Sequence, residues 1–207
     1  MLVEGTTRLT ELDLWNSAIK LEQWKILKEL APRHLNTLRI LDLRVKFFPS
    51  AGHVVQDVLC LMPSLSIFRS NICFKGTDLD GRPWVCRGLR ELMLSPSFIK
   101  PKFQTEMFSR IAELTELEFF VCGPPYYGYE GGEAARLTLQ HSLGVLWPLR
   151  HFREFAFHTT FTQDHWRKPE ALWVLKHWPE LKRVAGVEMN DHAAYTLRHV
   201  SFKANWA

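Results

Sequence analysis

Short apolar runs recur along the chain with the same internal spacing of hydrophobic positions. Each run follows the pattern L-x-x-L-x-L-x-x-(small polar), in which L stands for any large apolar residue. Because side chains alternate between the two faces of a β-strand, the second and third apolar positions of each run share one face. The six runs are LTELDLWNS (9–17), LRILDLRVK (38–46), MPSLSIFRS (62–70), LRELMLSPS (89–97), LTELEFFVC (114–122) and FREFAFHTT (152–160). A seventh, LKRVAGVEM (181–189), has glycine at the third apolar position.

The distance between runs matches a repeat of one strand and one helix. The central apolar positions 12, 41, 65, 92, 117, 155 and 184 lie 24 to 38 residues apart, and five of the six separations fall in the window of leucine-rich repeats. Apolar residues at helical spacing predict helices over 21–30, 54–62, 103–114 and 139–146 and after Pro169, and turns over 71–84. The chain thus resembles a leucine-rich-repeat protein. We predict a right-handed α/β solenoid of about seven repeats, with a parallel β-sheet on the concave side and helices or turns on the convex side.

This register also predicts the organisation of the whole chain. Residues 1–207 form a single repeat domain, in which the segment 123–132 is an insertion at the rim and 190–207 is a C-terminal cap. The insertion, GPPYYGYEGG, accounts for most of the long separation between the fifth and sixth runs. The predicted strands lie near 9–15, 38–44, 62–68, 89–95, 114–120, 152–158 and 181–187.

Composition narrows the class of protein. Hydrophobic residues make up 46% of the chain, which is typical of a folded domain, and no apolar stretch reaches the ~20 residues of a membrane helix. The N-terminus has no basic segment followed by an apolar one, so we expect no secretory signal. Four cysteines without a CxxC pair favour reduced thiols in the cytoplasm or nucleus.

The residues with reactive side chains do not form a recognisable catalytic or metal-binding motif. GTDLDG (76–81) lacks the first and twelfth ligands of a calcium loop and is expected to be a solvated turn. His151, His158 and His165 are spaced by seven and would not share a metal ion, and Cys60, Cys73 and Cys86 are expected to pack in the core. We therefore predict no catalytic residue, no metal site and no cofactor.

The predicted concave face is acidic. Seven carboxylates and one arginine give it a charge of about minus six, so the rest of a chain of net charge +4 would carry about plus ten. Such a face attracts a basic protein and repels nucleic acid. The alternative is a solvated face without a partner. The outward residues are Glu11, Asp13, Trp15, Ile40, Asp42, Arg44, Ser64, Ser66, Phe68, Glu91, Met93, Ser95, Glu116, Glu118, Phe120, Glu154, Ala156 and His158.

Two groups of aromatic residues are candidate anchors for a partner. Trp15, Phe68 and Phe120 occupy the last outward position of their predicted strands, where they either contact a partner or pack against one another. The rim insertion offers large contact area at low entropic cost, unless it is a surface insertion without a partner. Its tyrosines are Tyr126, Tyr127 and Tyr129.

Two stretches carry a narrower resemblance. RPWVCRGLRELML (82–94) and WVLKHWPELKRVAG (173–186) resemble the closing repeats of fungal F-box and leucine-rich-repeat proteins. That resemblance implies a substrate receptor, since an F-box docks on the adaptor of an SCF-type ubiquitin ligase while the repeats select the substrate. The first repeat begins by Leu9 and leaves no room for an F-box, so only the recognition part is matched.

The sequence therefore favours a non-enzymatic module for protein–protein interaction. We expect substrate-recognition repeats of an F-box-like adaptor, engaged with a ubiquitin ligase only if an F-box is supplied elsewhere. The chain is expected to be a monomer that binds a protein and neither nucleic acid nor membrane. The alternatives are a hydrolase or transferase on another α/β fold, and a truncated repeat remnant with a purely structural role.

Overall fold

Each strand begins two residues after an apolar residue that anchors it in the core, from Leu9 before the first strand to Leu181 before the last. The computed structural model describes residues 8–17, 24–25, 34, 36–45, 51–97, 101–123, 138–139, 142–157, 166–185, 192 and 194. The strands are β1 (Glu11–Asp13), β2 (Ile40–Leu43), β3 (Ile67–Lys75), β4 (Glu91–Ser97), β5 (Phe119–Cys122), β6 (Glu154–Phe157) and β7 (Arg183–Ala185).

The seven strands form one all-parallel sheet in which spatial order follows chain order from β1 to β7. A repeated pair of backbone hydrogen bonds joins the repeats just before each strand. The carbonyl of Thr10 accepts from the amides of Arg39 and Ile40 at 2.8 and 3.2 Å, and that of Arg39 accepts from Ser66 and Ile67 at 2.8 and 3.0 Å. The same pair recurs at each later junction, ending at Arg153 with Lys182 and Arg183. Each strand is therefore built on the one before it.

The core lies on one side of the sheet and consists of two apolar rows that cross all seven strands. The residue two positions before each strand forms the first row, and the second residue of each strand forms the central row. Most members of both rows are completely buried, so each strand extends the same core. The first row is Leu9, Leu38, Leu65, Leu89, Leu117, Phe152 and Leu181; the central row is Leu12, Leu41, Phe68, Leu92, Phe120, Phe155 and Val184.

Helices of the described residues pack against these rows, as the apolar stripes predict. They are α1 (Gly52–Leu61), α2 (Pro101–Ala112) and α3 (Lys168–His177), with α1 against β3. The stripe at 139–146 gives only a five-residue 3₁₀ helix, Ser142–Leu146, because Pro148 follows closely and stops helical backbone. The turns predicted over 71–84 begin only after residue 75, because β3 runs to Lys75, and they include a second 3₁₀ turn at Gly76–Asp78. The predicted helix at 21–30 lies outside the described residues except for residues 24 and 25.

The predicted register is correct for five strands and wrong by three residues for two. Phe68 pairs with Leu41, and Phe120 pairs with Leu92, so these phenylalanines hold the central positions that the sequence had given to Leu65 and Leu117. The strands predicted at 62–68 and 114–120 therefore begin at Ile67 and Phe119. In this register Leu65 and Leu117 stay completely buried in the first row while Phe68 and Phe120 fill the central row, so both apolar residues of each run are removed from water.

Side chains also join adjacent repeats. Ser70, the small polar residue that ends the third run, is buried and accepts the amide of Ile72 within its own strand at 3.1 Å. The bond between repeats is made by Asn71. Its side-chain oxygen accepts from the amide of Val45 at 3.0 Å and its nitrogen donates to the Val45 carbonyl at 3.0 Å.

Candidate protein-interaction surface

The face of the sheet opposite the core carries two rows of outward side chains. They flank the central buried residue of each strand, and most are half-buried or exposed. A parallel sheet is normally covered on both faces, so partial exposure along one face sets this sheet apart. The first row is Glu11, Ile40, Ile67, Glu91, Phe119, Glu154 and Arg183, and the second is Asp13, Asp42, Arg69, Met93, Val121, Ala156 and Ala185; Trp15 and Arg44 extend it in the first two repeats.

The predicted aromatic row is wrong for two of its three members. Phe68 and Phe120 are completely buried on the core side, and the Phe120 ring lies 5.9 Å from that of Phe155. The three-residue shift in register places both rings inside. Trp15 is 65% exposed and remains on the outward face.

The predicted charge of this face is also wrong. Glu116 lies in the turn before β5 and Glu118 directly precedes that strand, so neither belongs to the outward rows, and the same holds for Ser64 and Ser66 before β3. Arg69 lies beyond the strand predicted near 62–68, but it is an outward residue of β3. Five carboxylates and three arginines leave a charge of minus two on the described outward residues, which removes the basis for a basic partner. The carboxylates are Glu11, Asp13, Asp42, Glu91 and Glu154, and the arginines are Arg44, Arg69 and Arg183.

The N-terminal part of the face, which we call the charged half, is centred on the ion pairs of Asp42 and comprises Asp13, Trp15, Asp42, Arg44 and Arg69. Asp42 is only 3% exposed. Arg44 Nε donates to its two carboxylate oxygens at 2.9 and 3.0 Å, and Arg69 Nη1 lies 3.8 Å from Oδ2. The Arg44 guanidinium also lies over the Trp15 ring, 5.7 Å from its centre.

The network continues from Arg69 to Glu91 on β4. Arg69 Nη2 donates to Glu91 Oε2 at 2.9 Å while its Nε donates to Oε1, which makes the pair bidentate. Hydrogen bonding to Asp42 raises the pKa of Arg44, and hydrogen bonding to Glu91 raises the pKa of Arg69. Because arginine is already charged at neutral pH, these arginines keep their charge throughout the physiological range. The charges of Asp42, Arg44, Arg69 and Glu91 thus satisfy one another.

The C-terminal part of the face is apolar, and we call it the apolar half: Met93, Phe119, Val121, Ala156 and Ala185. All five side chains are half-buried on strands β4 to β7. Glu154, beside them in the first row, is held by Arg183, whose Nη1 donates to Oε1 at 2.9 Å. Along the second row the side chains become smaller from Met93 to Ala185.

A third row of side chains directly precedes the strands, and we call it the leading row. In its C-terminal part, Glu118 lies between two arginines, 3.7 Å from Arg90 Nη1 and 2.9 Å from Arg153 Nη1. At its N-terminal part is a cleft of about 430 Å³, lined by Arg8, Thr10, Glu11, Asn36, Thr37, Arg39, Ile40 and Ser64. The leading row is Thr10, Arg39, Ser66, Arg90, Glu118, Arg153 and Lys182.

A separate polar cluster joins α1 to the segment after β3. Arg82 pairs with Asp57 at 2.9 Å and with Asp80, while Gln56 Nε2 donates to Asp80 at 2.9 Å. Hydrogen bonds from Arg82 lower the pKa of Asp80 and keep it ionised. The Gln56 oxygen accepts from Trp84 Nε1 at 3.0 Å. These contacts satisfy polar groups beside the core, so the cluster stabilises the fold.

The remaining candidates for chemistry are structural where the structure describes them. Cys60 and Cys86 are buried thiols, and burial raises the pKa of Cys86 to about 12, so it does not ionise at neutral pH. Asp78 accepts the amide of Lys75 at 2.7 Å, as expected of a turn in GTDLDG. His151 is exposed beside Glu180. In the described part of the chain, no three His, Cys, Asp or Glu side chains are grouped to hold a metal ion, and no helix has the length and apolar character to cross a membrane.

Several residues and segments of the sequence predictions lie outside the described residues. They are the contact candidate His158, His165 of the histidine series, the rim insertion from residue 124 onward, and the C-terminal cap except for residues 192 and 194. The insertion holds Tyr126, Tyr127 and Tyr129, whose predicted contact with a partner remains a prediction. Gly123, the residue before it, donates its amide to the Leu94 carbonyl at 2.9 Å.

The comparisons with known proteins do not identify a family. No protein-family model and no curated protein matches the chain. Among solved structures, an internalin from Listeria monocytogenes matches with 12% sequence identity and a TM-score of 0.33. The match covers 94% of this chain and 65% of the internalin, so the chain spans less than two thirds of that protein's length. A likeness this distant carries no functional argument, which must come from the surface itself.

Proposed function

We propose that this chain is a leucine-rich-repeat module that binds a protein partner through the apolar half of its outward face. The observation that carries the proposal is the row of half-exposed apolar side chains, Met93, Val121, Ala156 and Ala185, across four adjacent strands. Contiguous apolar surface on a folded domain is typical of interaction sites. The charged half lacks this character because its carboxylates and arginines already pair with one another.

The geometry of the apolar half favours a partner with bulky apolar side chains. Backbone hydrogen-bonding groups of β5 and β6 are used in pairing with their neighbours, so a partner is held by side-chain contacts. The small side chains of Ala156 and Ala185 favour a bulky apolar side chain on the partner, and the flexible Met93 adapts its shape to the contact. Glu91 and Glu154 border this surface and are paired with arginines, which makes them weak attractors of a basic partner.

The topology supports a repeat protein over the enzyme alternative. Doubly wound α/β enzymes place their ligand where the strand order reverses, and the order from β1 to β7 contains no reversal. The repeated pair of backbone bonds at every junction is typical of a solenoid, in which each repeat contacts its neighbours.

We propose more specifically that the chain is a substrate receptor of a ubiquitin ligase. This role rests on the resemblance of 82–94 and 173–186 to fungal F-box proteins. The residues that carry this resemblance are structural. Trp84, Cys86 and Trp178 are buried, and the Trp178 indole donates to the Leu146 carbonyl at 3.3 Å. These buried residues determine how the repeats pack rather than which partner is bound. Attachment to a ligase requires an F-box supplied elsewhere.

The proposed surface is tested by quantitative affinity capture with the purified chain as bait. Val121→Glu places a charge at the centre of the apolar half, and Leu172→Glu places the same charge on α3, where Leu172 is 47% exposed. We expect Val121→Glu to reduce recovery of the main partner by roughly tenfold or more, because burying an unpaired carboxylate is costly. Leu172→Glu should retain wild-type recovery.

Thermal unfolding of both variants by circular dichroism serves as the folding control. Equal recovery by wild type and a folded Val121→Glu variant, or an equal loss in Leu172→Glu, would contradict the proposal. A partner captured by wild type is then purified and titrated against the same variants, so that direct binding replaces recovery as the readout.

A further inference from the structure

The cleft at the start of the first three repeats contains two arginines with no ion-pair partner among the described residues. Arg8 and Arg39 are exposed side chains that line it together. Arg39 belongs to the leading row, and its equivalents further along that row, Arg90 and Arg153, pair with Glu118. Within the described residues, the leading row thus carries paired arginines in its C-terminal part and an arginine without an ion pair in its N-terminal part.

The walls of the cleft are held in place by short hydrogen bonds between repeats. Ser64 Oγ donates to the Asn36 carbonyl at 2.8 Å, and Thr37 Oγ1 donates to the Leu9 carbonyl at 2.9 Å. The amides of Arg39 and Ile40 bond the Thr10 carbonyl, which fixes the backbone beneath the Arg39 side chain. A ligand therefore meets a preformed cleft whose volume of about 430 Å³ is in the range of binding sites for small ligands.

The charges of the lining select the class of ligand. Arg8 and Arg39 contribute two positive charges and Glu11 one negative charge, which leaves the cleft at plus one. The two guanidinium groups bind an anion, and Glu11 adds a hydrogen-bond acceptor that a free phosphate, which has no N–H group, does not use. The guanidinium groups suit a carboxylate, and Glu11 accepts hydrogen bonds from amide N–H groups. Both features occur together in a peptide.

We propose that this cleft binds a carboxylate of a peptide, either the C-terminal carboxylate or the side chain of an Asp or Glu residue. Arg8 and Arg39 hold the carboxylate, and Glu11 receives the N–H of a neighbouring peptide unit. The site lies apart from the apolar half and does not depend on the function proposed for that surface.

The test is an NMR titration of the ¹⁵N-labelled full chain with three hexapeptide probes. The first is apolar with a free C-terminal carboxylate, the second is the same peptide amidated, and the third is amidated with one glutamate. We expect the first or the third probe to shift the backbone signals of Thr10 and Arg39, and the amidated neutral probe to leave them in place. The probe that binds identifies the source of the carboxylate.

Matched variants locate the binding. Arg39→Gln and Arg8→Gln should each weaken binding of the active probe by roughly three- to tenfold, the range for an exposed charge-assisted bond. Arg90→Gln, which removes an equivalent but already paired arginine, should bind as wild type. Glu11→Gln should bind the probe more tightly, because it removes the opposing charge.

Three results overturn the proposal: equal shifts with the amidated neutral probe, unchanged affinity in both Arg8→Gln and Arg39→Gln, or an equal loss in Arg90→Gln. The unperturbed signals of β5 to β7 show in the same spectra that each variant is folded. Since no natural partner is used, failure here leaves the test of the apolar half unaffected.

Discussion

The charged half and the apolar half lie on the same sheet and share the same ladder of backbone hydrogen bonds. They differ in their outward side chains, because those around Asp42 are held in ion pairs and those of the apolar half are exposed without such pairs. In the charged half, Asp42 is enclosed by Arg44 and Arg69, and Arg69 continues to Glu91. In the apolar half, Met93, Val121 and Ala156 have no comparable partners among the described residues and stay partly exposed. The two halves thus differ in whether adjacent strands supply partners for the outward side chains.

The largest effect on the free energy of unfolding is expected from truncating an inward side chain of the apolar half's strands, compared with the outward side chain next to it. Phe120 is fully buried and its ring lies 6.4 Å from that of Phe108, whereas the next residue, Val121, faces outward. Phe120→Ala should lower the free energy of unfolding by about 3–5 kcal/mol, and Val121→Ala by less than about 1 kcal/mol. Urea denaturation measures both, and a larger loss in Val121→Ala would contradict the register.

A smaller effect is expected from breaking the charged half. Asp42→Ala removes the carboxylate that Arg44 and Arg69 share and should cost about 1–2 kcal/mol, since both arginines are about a third exposed and their repulsion is screened by solvent. The control is Asp13→Ala, an exposed carboxylate that accepts the Trp15 amide, with an expected cost near 0.5 kcal/mol. Denaturation at low and high salt compares them, and the account fails if Asp13→Ala costs as much.

The smallest effect is expected at the exposed end of the charged half. Trp15→Ala removes the ring beneath Arg44 and should change the free energy of unfolding by about 0.5 kcal/mol, the usual contribution of an exposed cation–π contact. Recovery of the partner should stay near wild type, because Trp15 lies outside the apolar half. A loss of recovery equal to that of Val121→Glu would move the binding site into the charged half.

The sequence predicts the repeat but not every register. The strands β1, β2, β4, β6 and β7 lie where the pattern places them. The sequence around each of these strands matches the apolar positions of the pattern in one register only. The runs around β3 and β5 fit the pattern twice: Met62, Leu65 and Ile67 satisfy it, and so do Leu65, Phe68 and the small inward Ser70. The register that forms buries Leu65 together with Phe68, and Leu117 together with Phe120.

The errors at the candidate surface follow from that ambiguity. Placing Phe68 and Phe120 outward created an aromatic row that does not exist, and it hid Arg69, which neutralises the carboxylates of its neighbours. Ion pairs between adjacent strands depend on which residues stand side by side, and a three-residue shift changes every neighbour. The cleft at Arg8 and Arg39 is formed by residues from three repeats, so no single sequence motif predicts it.

Site-specific photo-crosslinking tests the central claim most directly. A benzoylphenylalanine residue is introduced separately at Val121 in the apolar half, at Trp15 in the charged half and at Leu172 on α3, and each chain is irradiated with the captured partner. The account predicts a strong covalent adduct from position 121, a weak one from position 15 and none from position 172. An adduct from position 172 or 15 without one from position 121 would show that the partner binds elsewhere.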